Sequence, residues 1–244
     1  MASIRRIGAM ALFLLRTLAA CVPALSRPGA IVRQVYNCGA RSLVIIMLSG
    51  LVVGMIMGLS LSDMLARFGS ESALGVAAGL ALIKLLGPVL TALLFAGRAG
   101  TSLASEIGLM RATDQLTAMQ VMAVDPMRSV VAPRFLGGFI ALPLLVAIFD
   151  ILGLFGAQLI GVSMMGVDAG TFWSQMQNAI DVADVNEGIV KSLVFGAACT
   201  LMAVYYGYNA EPTAEGVGLA TTRTVIASSV LVLVFAYLLT AAFL

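Results

Sequence analysis

Apolar residues in this chain fall in long uninterrupted runs rather than in alternation, and polar residues gather between the runs. Crossing the hydrocarbon of a bilayer as a helix takes about 20 mostly apolar residues. Residues 43–62 and 225–244 satisfy this without a charge, while 73–97, 135–165 and 188–208 satisfy it with one exception each, Lys84, Asp150 and Lys191. Lipid offers no partner for a backbone N–H or C=O, so only a helix bundle or a closed barrel can span it, and barrel strands alternate. The pattern predicts an all-α polytopic membrane protein with about five transmembrane helices.

The polar segments orient the spans. Arg5, Arg6, Arg16, Arg27, Arg33 and Arg41 precede the first run, and Arg98, Arg111, Arg128 and Arg134 lie in a long island over 97–134. The segment 166–187 holds Asp168, Asp181, Asp184 and Glu187 but no Lys or Arg. The positive-inside rule puts the N-terminus and the island in the cytoplasm and the acidic segment outside, which leaves the C-terminus outside. Residues 1–41 read as N-terminal interfacial amphipathic helices and 42–244 as the transmembrane domain. Arg5 and Arg6 ahead of an apolar stretch ending at Cys21 superficially match a cleaved leader. Arg16 interrupts that stretch, however, and Pro23, Arg27, Pro28 and Arg33 follow it, so a helix lying in the interface is expected. A second such helix, 31–40 with Tyr36 as its anchor, leads into the first span.

Composition narrows the class further. Hydrophobic residues are 61% and charged residues 11% of the chain, against about 25% charged in a soluble domain. With a mean hydropathy of +1.05, this composition is that of an integral membrane protein. A net charge of +2 does not suggest a nucleic-acid partner. Cys21, Cys38 and Cys199 are scattered, and there is no histidine, so neither a disulfide framework nor a metal site is expected. No Walker A pattern occurs and no nucleophile stands beside a base, so the chain itself is not expected to be an enzyme or to need a cofactor.

Gly50, Gly54 and Gly58 form a doubled G-x-x-x-G, which lets another helix approach closely, either within one bundle or across a dimer seam. Gly87-Pro88 should kink or unwind the second span one turn after Lys84. Ionisable residues inside a membrane default to functional roles. Lys191 and Asp184, seven residues apart, either pair or line a polar mouth, or else Lys191 snorkels to the outer interface. Asp150 is too deep to snorkel, and is either protonated, paired with Lys84 or Lys191, or facing water. In the island, Leu109, Ala112, Leu116, Met119 and Ala123 recur at helical spacing, and Asp125-Pro126 ends the pattern. This predicts helix-turn-helix material that either lies on the membrane or docks in a protein groove.

Three stretches together resemble one family. The island GRAGTSLASEIGLMRATDQLTAMQVMAVDPMRSVVAPRF, the segment GVDAGTFWSQMQNAID from Gly166 and the stretch GYNAEPTAEGVGLATTRTVIASS from Gly207 are similar to the signatures of MlaE-type permeases. These are the membrane subunits of ABC systems that move phospholipids between bacterial inner and outer membranes. The likeness runs from about Arg33 to the C-terminus. It implies an inner-membrane homodimer, one cytoplasmic ABC ATPase per copy, a STAS-domain protein on the ATPase, and a hexameric ring of MCE-domain subunits on the periplasmic face. Positions matching the lipid pocket are Met57, Leu61, Leu65, Phe68 and Lys84, with Asp184 and Lys191 near its mouth. The ATPase-coupling segment would be 106–125, including Glu106, Met110, Arg111, Asp114, Gln115, Met119 and Asp125. The family often has Glu after the basic residue that precedes Leu-Gly-Pro, whereas here Leu85 follows Lys84, and Asp150 is the expected replacement partner. From the residues alone, a proton-coupled secondary transporter of a small amphipathic solute is the alternative, resting on Asp150.

Overall fold

The computed structural model describes residues 2–25, 28–164 and 166–243. Arg27, Met165 and Leu244, as well as the side chains of Arg5 and Arg6, lie outside the described residues. Regular structure among the described residues is helical: α1 Ala2–Ala24, α2 Pro28–Arg67, α3 Leu74–Ala112, α4 Gln115–Val121, α5 Met127–Ser163, α6 Ala169–Ala179, α7 Val182–Tyr208 and α8 Ala214–Phe243. Five of them, α2, α3, α5, α7 and α8, are long and apolar enough to cross a membrane, one for each predicted run.

Two boundaries differ from expectation. The helix predicted over 31–40 is not separate, because α2 runs unbroken through 40 residues from Pro28. Proline suits the first helical position, and nothing after it stops the helix. At 1.5 Å per residue α2 is about 60 Å long, roughly twice the hydrocarbon thickness, so it projects from the bilayer. Likewise α3 continues past Gly97 to Ala112, so the first part of the polar island is a membrane helix extended rather than a loop.

Gly87-Pro88 does not break α3 but locally unwinds it, as expected. The helix widens into a π turn over Leu82–Leu86, in which the Gly87 N–H reaches back to the Leu82 carbonyl. Proline has no N–H for the carbonyl four residues before it, and the wider turn accommodates its ring. The same device opens α5, where Met127–Val131 is a π turn just before Pro133.

The bundle closes through small residues. Lipid is as apolar as a leucine side chain, so helices associate by close packing rather than by a hydrophobic drive. Gly50 and Gly58 press on the α5 backbone at Phe149 and Ala157, where an added Cβ would come within 2.8 Å of a carbonyl oxygen. A Cβ on Gly54 would overlap the Gly153 carbonyl outright. The doubled G-x-x-x-G is therefore spent inside the chain, and α2 runs parallel to α5. α3 and α7 form a second parallel pair, with Gly188 against the Ile83 carbonyl at one end and Gly207 against Ala104 at the other. Phe95, Phe149 and Phe195, all fully buried, fill the centre with Ile46, Leu82 and Leu142. α8 buries only the stripe Gly216, Ala220, Thr224, Ser228, Val232 and Ala236. α1 buries Phe13, Thr17, Ala20, Cys21 and Ala24 against α5 and the end of α7, and exposes Leu12, Leu15, Leu18 and Val22.

Candidate functional site

At the end of the bundle bounded by the 68–73 and 164–181 connections, four ionisable residues close into one cluster. Lys84 on the π turn of α3 pairs with Asp184 at 2.9 Å and with Glu187 at 3.0 Å. Lys191 pairs with the other oxygen of Glu187 at 2.6 Å and donates to the Lys84 carbonyl at 2.8 Å. That carbonyl is the one deprived of its helical donor by Pro88, so Lys191 serves as both ion-pair partner and replacement donor. Two cations face two carboxylates, which makes the cluster neutral overall.

Each side chain is placed by its helix. Asp184 sits in the first turn of α7, where its carboxylate also accepts the Asp181 backbone N–H at 3.1 Å in a capping box. Glu187 and Lys191 are one turn apart on the same face. Lys191 is 1% exposed and Glu187 7%, so Lys191 does not snorkel to the interface. Neither does it pair with Asp184, which Lys84 takes. Glu187 is the residue that sequence reasoning passed over. Its four-residue spacing from Lys191 was the available signal, hidden because the acidic segment reads as an outer loop.

Beneath the cluster lies an apolar cavity of about 260 Å³ between α3, α5 and α7, lined by Ile83, Val146, Asp150, Leu154, Gly188 and Ser192 among others. Asp150 is its charged residue, and its buried Oδ1 has no hydrogen-bond partner among the described residues. The expected pairing of Asp150 with Lys84 or Lys191 is not made, because Asp184 and Glu187 have taken both lysines. Glu187, not Asp150, replaces the carboxylate missing after Lys84. The Asp150 carboxyl instead lies against Gly87, where it would overlap an added Cβ.

The predicted pocket stripe is placed near this end but outside the cavity. Leu61 and Leu65 are half-buried against Leu74, Ala78, Ala157 and Phe172, Met57 is half-buried, and Phe68 is 72% exposed. Asp63 and Arg67 pair with each other on the exposed side at 2.9 Å. α6 covers the same end through Phe172 and Trp173, whose rings meet edge-on at 5.5 Å. Its N-cap Asp168 accepts the Thr171 N–H at 2.8 Å, a bond that holds its carboxyl below the usual range.

The opposite end carries the predicted coupling residues, and the apolar positions Leu109, Ala112, Leu116, Met119 and Ala123 do not form one buried stripe there. Asp114 adopts a left-handed conformation with φ of 55°, which ends α3 and resets the helical phase before α4. Consequently Leu109 is 59% exposed while Leu116 is buried, and Ala123 also faces outward. Met110 and Met119 pack inward against Phe13, Ile107 and Leu116. Arg111 donates to the Tyr208 carbonyl at 2.6 Å and so ties down the end of α7. Glu106 faces Arg134 at 3.4 Å. Asp114, Gln115 and Asp125 are exposed, the last beside Arg128 at 3.4 Å. Val121 and Met122, 83% and 66% exposed, form an apolar tip that the periodicity missed.

A model of the permease MlaE family matches residues 31–242. The chain belongs to the MlaE permease family. It is 48% identical over 212 residues to the intermembrane phospholipid transport system permease protein MlaE of Haemophilus influenzae, covering 86% of this chain and 81% of that protein. A probable ABC transporter permease protein of Rickettsia felis is 36% identical over 228 residues, 92% of this chain and 88% of the relative. TRIGALACTOSYLDIACYLGLYCEROL 1, chloroplastic, of Arabidopsis thaliana is 28% identical over 211 residues, 86% of this chain and 60% of its own. The two MlaE-like signatures flanking the bundle pack on one another at the same end. Gly207 sits against Ala104, Gly108 against Ala210 and Val217, and Gly100 against Thr224.

Proposed function

We propose that this chain is the permease subunit of an ABC transporter that moves phospholipids between inner and outer membranes and so maintains outer-membrane lipid asymmetry. The observation that carries this reading is a neutral, internally paired charge cluster standing over an apolar cavity, in a chain whose relatives include a phospholipid permease. A phospholipid needs apolar room for its chains and polar groups for its head, and a neutral cluster can re-pair around a zwitterion or an anion. The cavity of one copy is smaller than the roughly 300–1,000 Å³ that encloses a drug-sized ligand, which favours a lipid path shared between two copies. Met57, Leu61, Leu65 and Phe68 then face that shared path with Lys84, Asp184 and Lys191 at its mouth.

The chain sits in the inner membrane with its N-terminus cytoplasmic and its C-terminus periplasmic. ATP is hydrolysed by a cytoplasmic ABC ATPase docked on the 106–125 segment, through Asp114, Gln115 and Asp125 around the Val121 and Met122 tip, while Glu106, Met110, Arg111 and Met119 brace it from behind. A STAS-domain protein joins through the ATPase, and a hexameric MCE-domain protein covers the periplasmic face. The membrane complex purified with its ATPase should show lipid-stimulated hydrolysis and transfer labelled phospholipid between vesicles. Val121→Glu with Met122→Glu should cut ATPase co-purification on the order of tenfold, since two buried charges oppose docking. Unchanged binding and transfer would overturn the docking assignment. Proton-driven flux without any ATPase would favour a secondary carrier built on Asp150.

A further inference from the structure

A second cavity, of about 540 Å³, opens between the start of α2, the end of α3 and the start of α5, at the end of the bundle opposite the charge cluster. Its polar lining is Arg33, Gln34, Asn37, Glu106, Ser129 and Arg134, with Gly29 and Ala30 of the first turn of α2 at its edge. Two arginines face one carboxylate here, and a third cation flanks them, since Arg98 donates to the Asn37 carbonyl at 3.3 Å and to the Ser42 hydroxyl at 3.0 Å.

The donors in this cavity are not used up. Arg134 is only 9% exposed, yet among the described residues its guanidinium bonds only to the Val130 carbonyl at 3.3 Å and to Glu106 at 3.4 Å. Both exceed the usual 2.9–3.0 Å, and its Nε has no partner among the described residues. Arg33 is exposed at the mouth and makes no ion pair with a described residue. A buried guanidinium left short of acceptors is costly, and a planar fork beside a hydroxyl and an amide matches the oxygens of a phosphate.

We infer that this cavity binds an anionic phosphate ester through Arg33 and Arg134, with Asn37 and Ser129 as neutral donors and Glu106 as the group that limits affinity. The phosphate comes either from a lipid headgroup entering sideways at the interface or from a soluble phosphate. Basic pockets between membrane helices recognise headgroups in this way. On the reading proposed above, the site is separate from the transport path, because it lies at the end of the bundle opposite the charge cluster, and it would tie α2 to α3 and α5 near where α3 leads into the α4 turn.

The permease in nanodiscs of phosphatidylcholine doped with phosphatidylglycerol tests this by native mass spectrometry of retained lipid. Wild type should retain phosphatidylglycerol over phosphatidylcholine. Arg33→Gln and Arg134→Gln should each weaken retention on the order of tenfold, and Glu106→Gln should strengthen it severalfold. Arg33 is exposed, so its variant folds even where Arg134→Gln does not. In pure phosphatidylcholine discs, glycerol phosphate protecting the cavity from an arginine-directed reagent, with no lipid preference in the doped discs, would assign the same site to a soluble phosphate. Equal retention of both lipids by wild type and Arg33→Gln, with no protection by glycerol phosphate, would overturn the inference.

Discussion

Lys191 shows how one residue can answer two needs at once. Its ammonium neutralises Glu187 and occupies the carbonyl that Pro88 leaves without a donor. Breaking a buried pair by removing one partner costs about 3–5 kcal/mol, because the other charge stays buried. Lys191→Met should therefore destabilise the protein by about that much in a thermal assay in detergent. On a Pro88→Ala background, where residue 88 regains an N–H, the loss should be smaller. Equal losses on both backgrounds would show that the bond to the Lys84 carbonyl contributes nothing. Asp150 is the converse case, a carboxyl whose predicted partners are engaged elsewhere.

At the scale of elements, glycine position separates packing from mere flexibility. Gly54 touches the α5 backbone, whereas Gly97, in the second π turn of α3, has nothing within 4 Å of where its Cβ would stand. Gly54→Ala should cost about 1–3 kcal/mol or more by forcing the helices apart. Gly97→Ala should be neutral or stabilising by up to about 1 kcal/mol, as for any solvated helical glycine. The fraction remaining monodisperse after heating reads both, and a loss at Gly97 as large as that at Gly54 would refute the assigned seam. The helical phase of the island failed for a local reason, since Asp114 in a left-handed turn shifts every later residue off the α3 stripe.

For the molecule as a whole, orientation decides what each end can do. Cys21, Cys38 and Cys199 are all buried, so an introduced thiol can be read against a quiet background. Gln177→Cys on α6 should react with a membrane-impermeant maleimide in intact spheroplasts, and Gln115→Cys should react only after permeabilisation. The reverse pattern would invert the molecule and place the coupling end and the phosphate cavity on the outside.

The hydropathy pattern by itself determined the class, the number of spans and the separation of basic from acidic ends, because burial in lipid acts on each run independently of its neighbours. The motifs determined the family, since order and spacing along a chain survive without coordinates. Tertiary structure alone decided who pairs with whom. Lys84 meets Asp184, 100 positions away, because α3 and α7 run side by side, and the glycine seam turned inward because α5 offers Gly153 opposite Gly54. Helix extension beyond the apolar runs was likewise hidden, because a helix once begun continues until a residue such as Asp114 turns it, whether or not lipid surrounds it. Pairing and packing depend on distances between segments, and a linear pattern does not contain them.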